Sequence, residues 1–92
     1  MSLVQSESGQ GRLLVAGASP EPVAYALDIH TEGPAELKFG KGTINGDFTS
    51  LVHAAEFGGA LELENGFGLG IEISRVIDNR ADFVVSVPIP DR

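Results

Sequence analysis

Apolar and polar residues alternate with a period of two over five stretches of this chain. Val23, Tyr25, Leu27 and Ile29 alternate with Ala24, Ala26, Asp28 and His30. Ala35, Leu37 and Phe39 alternate with Glu36 and Lys38, and Leu61 and Leu63 with Glu62 and Glu64. Phe67, Leu69, Ile71 and Ile73 alternate with Gly68, Gly70, Glu72 and Ser74. Ala81, Phe83, Val85 and Val87 alternate with Asp82, Val84 and Ser86. Successive side chains of a strand point to opposite faces, so each stretch reads as a half-buried strand. A shorter strand at 13–16 is expected before them. The apolar rows without Ala35 and Ala81, together with Leu13, Val15 and Ile44, make the expected core.

The breaks between these runs carry turn residues: Glu32-Gly33-Pro34, Asn45-Gly46, Gly58-Gly59, Asn65-Gly66 and Asp78-Asn79. Such spacing suggests a sandwich or a barrel. No connection is long enough for a crossover helix, so neighbouring strands are expected to be antiparallel. The expected fold is all-β: a small antiparallel meander of six or seven strands, as a barrel or a two-layer sandwich.

Parity sharpens two of the turns. A two-residue Asn65-Gly66 loop would point the apolar rows on either side of it in opposite directions. A three-residue loop, Glu64-Asn65-Gly66, pairs Leu63 with Phe67 and Leu61 with Leu69, with Gly66 supplying the left-handed residue. At Gly40-Lys41-Gly42, Phe39 and Ile44 have opposite parity. Phe39 points inward, so a bulge or bend near the glycines must return Ile44 to the core.

Residues 47–57 fit two patterns. Phe48, Leu51, Val52 and Ala55 share a helical face, with Asp47 as N-cap and Gly58 past the end. As a strand, Leu51, His53, Ala55 and Phe57 alternate. The strand is the expectation, because both flanks are strands. The polar stretch 1–11 is expected to be a mobile lead-in outside the fold, with 1–3 compatible with a cloning remnant. The β domain is expected over 12–87. Pro88 and Pro90 cannot donate ladder hydrogen bonds, so 88–92 reads as an extended tail.

The 92 residues amount to one domain, and one of this size buries roughly 60–65% of its unfolded surface. The chain has no cysteine, which removes disulfides, thiolate nucleophiles and cysteine-bound zinc, and points mildly to the cytoplasm. Thirteen acids against six bases give a net charge of −7, and of the bases only Lys38 and Lys41 are close in sequence. Counterion release needs clustered cations, so neither nucleic acid nor an anionic membrane is an expected partner. No apolar run reaches the roughly 20 residues of a membrane helix.

No catalytic, cofactor-binding or metal-binding set emerges. There is no Gly-x-Ser-x-Gly, and His30 and His53 read as surface or edge side chains. Glu62, Glu64 and Glu72 read as a solvated face of one hairpin, since no calcium-loop pattern accompanies them. Gly68 and Gly70 form a Gly-x-Gly inside a strand, without the helix a phosphate cradle requires. Small barrels of the PilZ type, which bind cyclic dinucleotides, have a similar run of strands. Their paired-arginine and Asp/Asn-x-Ser-x-x-Gly motifs are both missing here, so no binding residue is carried over and no family is assigned.

The chain therefore reads as a non-catalytic module for protein–protein association or self-assembly, with a homodimer as the leading form. The candidate interaction surface is Ala24, Ala26, Gly68, Gly70 and Val84, small or apolar residues on the supposed wet faces of their strands. The alternative is a small-molecule-binding domain that uses a barrel mouth or the Gly68/Gly70 face. No cofactor is expected.

Overall fold

The two strongest alternating rows become the centres of two strands in a closed antiparallel barrel. The computed structural model describes residues 2–85 and Ile89, with side chains from residue 5 onward. Six strands and one helix are present: β1 (Ser2–Leu14), β2 (Glu21–Glu32), β3 (Leu37–Asn45), α1 (Phe48–Phe57), β4 (Gly59–Glu62), β5 (Gly68–Ile77) and β6 (Arg80–Val85). Around the barrel they run β1-β2-β3-β6-β5-β4, and β4 closes on β1. All neighbours are antiparallel. The architecture is two three-stranded meanders, joined through α1. Leu13, Leu27, Ile44, Leu61 and Phe83 are almost wholly buried inside.

The β4–β5 hairpin has the three-residue loop that parity requires. Leu61 pairs with Leu69, the Leu63 N–H donates to the Phe67 carbonyl (2.8 Å), and Gly66 sits at φ 88°.

Four sequence expectations need correction. First, residues 47–57 are helical, not a strand. β3 and β4 lie on opposite sides of the barrel, so a strand continuing into a hairpin cannot join them. A helix carries the chain across the barrel end. Asp47 caps it, accepting from the Ser50 N–H (3.2 Å), and the Gly58 N–H closes it onto the Ala54 carbonyl (2.8 Å). Leu51 and Ala54 are its buried residues.

Second, β3 carries no bulge at Gly40-Lys41-Gly42. It pairs with β2 in unbroken register from Glu32↔Leu37 to Ala24↔Asn45. The inward positions are Gly40, Gly42 and Ile44, so Leu37 is 46% exposed and Phe39 only half-buried. The glycines are there for space: a Cβ on Gly42 would overlap the Ala26 carbonyl oxygen.

Third, the stretch 1–11 is not outside the fold. From Ser2 it is strand β1, paired with β2 through Leu13. Backbone hydrogen bonds hold this ribbon, so its Ser, Gln and Gly residues show no apolar alternation. Fourth, Ile89, expected in an extended tail, is buried. Its N–H donates to the Lys38 carbonyl (2.6 Å), and its Cδ1 lies against Gly40. The expected core position Val87 and the tail residues 88 and 90–92 lie outside the described residues, as does Met1.

Candidate functional site

The described inward rows pack together as one apolar core, so the outer surface comes first. Its most varied part is the outer face of β3, β6 and β5. Three cross-strand rows make it up: Lys41–Val84–Glu72, Thr43–Asp82–Arg75 and Asn45–Arg80–Ile77. These residues alternate with the inward Gly42, Ile44, Ala81 and Phe83, which is why they face solvent.

One extra residue in β5 decides the third strand of this face. Ile73 pairs with Phe83 and Arg75 with Asp82, so Ser74 is bulged out of the ladder. Its hydroxyl donates to the Asp82 carbonyl (3.2 Å). Simple alternation from Ile71 and Ile73 would send Arg75 inward. The bulge turns Arg75 and Ile77 outward and leaves Val76 packed against the core. The sequence reading missed Ile77; the three-residue step from Ile73 to Val76 is the signal that could have found it.

Two open depressions lie on this face. One of about 400 Å³ is lined by Arg75, Ile77, Asp78, Asn79, Arg80 and Asp82. The other, of about 300 Å³, lies among Asp28, Lys41, Thr43, Ser74, Asp82 and Val84. Ile77 is 49% exposed and Val84 39%, so large apolar side chains project beside the hollows. An Arg80 nitrogen lies 3.6 Å from Asp82.

The five residues of the sequence-derived surface are not brought together. Ala24 and Ala26 are on β2, which lies opposite β5 across the barrel, where Gly68 and Gly70 are. Val84, on β6, is next to β5. Ala26, Gly68, Gly70 and Val84 are exposed, and Ala24 is half-buried. A Cβ at Gly68 or Gly70 would meet nothing within 4 Å among the described residues, so no side chain described here packs on that bare backbone.

His30 is buried, contrary to its surface reading. Its Nε2 is 2.9 Å from Glu32 Oε2, and Phe39 stacks on the ring at 6.5 Å between centroids. Its Nδ1 is buried without a hydrogen-bond partner among the described residues. His53 is on α1, edge-on to Phe57 at 4.9 Å.

The helix creates one grouping the sequence did not suggest. Glu21, Ser50 and His53 line a cleft of about 60 Å³ between α1 and the start of β2. No hydrogen bond joins them; the nearest partner of the Ser50 hydroxyl is the capping carboxylate of Asp47 (3.5 Å). The hairpin glutamates do not converge either. Glu62 is taken by Arg12 (2.8 Å from Nε). Among the described residues no three His, Asp or Glu side chains come together.

No helix among the described residues is long and apolar enough to cross a membrane. In comparisons with protein-family models, curated proteins and solved structures, nothing matches this chain.

Proposed function

We propose that this domain is a non-catalytic association module that acts through its outer surface, in the first instance as a homodimer. A cytoplasmic location goes with this reading and rests on the cysteine-free composition. One observation carries the proposal. The barrel interior is occupied by its own side chains, while Leu37, Phe48, Phe57, Ile77 and Val84 are left 39–70% exposed. A barrel that holds a ligand keeps a cavity inside, whereas this one spends its apolar surplus outside. A second reading, a small-molecule site, draws support from the bare backbone at Gly68 and Gly70.

The test is the native mass of the untagged chain in a gently prepared extract of the cells that make it. Sedimentation well above the 9.6 kDa of one chain is expected. Sedimentation at the single-chain mass overturns the association reading.

A further inference from the structure

The charge of this protein is divided unevenly between its strands. β3, β5, β6 and the turn joining the last two carry Lys38, Lys41, Arg75 and Arg80 against Glu72, Asp78 and Asp82, a net charge of +1. All other described residues together carry nine acids against Arg12, a net of −8. The division is invisible along the chain, because β3 and the β5–β6 pair are separated by α1 and β4. The barrel order brings them side by side.

We propose that the outer face of β3, β6 and β5 is a docking surface for a second copy of this chain. The proposal rests on the association reading above and names its face and occupant. Two copies of net charge −7 repel each other over most orientations, and like charges brought together disfavour docking. This face is where two copies meet with the least of that penalty. It is also self-complementary in sign, since Lys41 and Glu72 flank Val84 in one row. A two-fold axis parallel to β6 sets Lys41 against Glu72 of the partner subunit, with the two Val84 side chains near the axis. The same axis runs over the rest of β6, so Asp82 and Arg80 each come opposite their own copy, and within each chain they lie 3.6 Å from one another. The relief agrees with the charge: Val84 and Ile77 project, and the two depressions beside them receive side chains.

Sedimentation equilibrium of the purified full chain at tens of micromolar tests the proposal. The wild type is expected at twice the 9.6 kDa chain mass. Val84→Lys is expected at the single-chain mass with an unchanged circular dichroism spectrum. Ala26→Lys, on β2 outside this face, is expected to stay dimeric. Lys41→Glu alters only an exposed side chain, and it should weaken the dimer by about tenfold or more through like-charge contact. Adding Glu72→Lys to it should restore the dimer. A single-chain mass for the wild type overturns the second-copy inference. So does a dimer split by Ala26→Lys but not by Val84→Lys. A purified monomer that is nonetheless heavy in native extract sinks this inference and leaves the association reading standing; a single-chain mass in both sinks both.

Discussion

The hydroxyl of Tyr25 accepts a hydrogen bond from the backbone N–H of Glu64 at 3.2 Å, tying β2 to the β4–β5 hairpin beneath β1. Glu64 follows β4 in the hairpin loop, and β2 and β4 are the two neighbours of β1. Tyr25 is 6% exposed, so its oxygen needs this partner inside the protein. Tyr25→Phe removes the acceptor and keeps the ring. The expected loss is about 1 kcal/mol, as for a typical internal hydrogen bond, read as a lower urea midpoint with an unchanged slope. An unchanged midpoint means that the bond contributes nothing.

Gly42 and Gly68 make a matched pair. A Cβ at Gly42 collides with the Ala26 carbonyl oxygen, which belongs to backbone and cannot swing aside. Gly42→Ala should therefore cost more than about 2 kcal/mol, as over-packed sites do. A Cβ at Gly68 meets open space and φ there is not positive, so Gly68→Ala should stabilise by about 0.5 kcal/mol through the unfolded chain. Equal effects in thermal melts would show that the close approach at Gly42 is absent.

Gly66 sits at φ 88°, in the left-handed region, with open space around the Cβ position. The penalty for Gly66→Ala is thus conformational, about 1 kcal/mol. Gly66→Asn should lose less, because Asn enters that region more readily than Ala. Denaturant titration of the two variants ranks them, and the reverse order would remove the left-handed assignment.

Asp47 supplies the acceptor at the N-terminus of α1. Asp47→Ala should destabilise by about 1 kcal/mol, and Asp47→Ser should recover most of it. Chemical denaturation followed by circular dichroism measures both. A full loss in the serine variant would assign Asp47 a role other than capping.

How far the sequence revealed this fold depends on what filled the inward positions. The rows of β2 and β6 were legible because Tyr25, Leu27, Phe83 and Val85 all point inward. The inward row of β3 begins with Gly40 and Gly42, which carry no hydropathy signal, so Phe39 was read as its anchor. β1 was missed because a ribbon held by backbone hydrogen bonds leaves no apolar pattern. α1 was misread because its ten residues fit both patterns, Phe48, Leu51, Val52 and Ala55 as a helical face and Leu51, His53, Ala55 and Phe57 as a strand; strand order, not local pattern, decides between them. Of the outer face, Val84 was legible as an apolar residue out of phase. Ile77 was hidden by the Ser74 bulge, and the division of charge appears only once β3 lies beside β6.

The closure of the barrel on itself has a consequence for how it can come apart. β1 pairs with β2 from Ser2 to Leu13 but meets β4 only at Arg12, Leu13 and Leu14. That is the shortest of the six strand pairings, so it is the line along which the wall parts at least cost. Parting there leaves every other ladder standing and turns the cylinder into an open sheet with two raw edges. Leu13 and Leu61, paired across this line and buried at 1% and 0%, are then bared together. The Arg12–Glu62 ion pair spans the same line on its outer side. It lies over the one seam whose opening would offer β1 and β4 to strands of other chains.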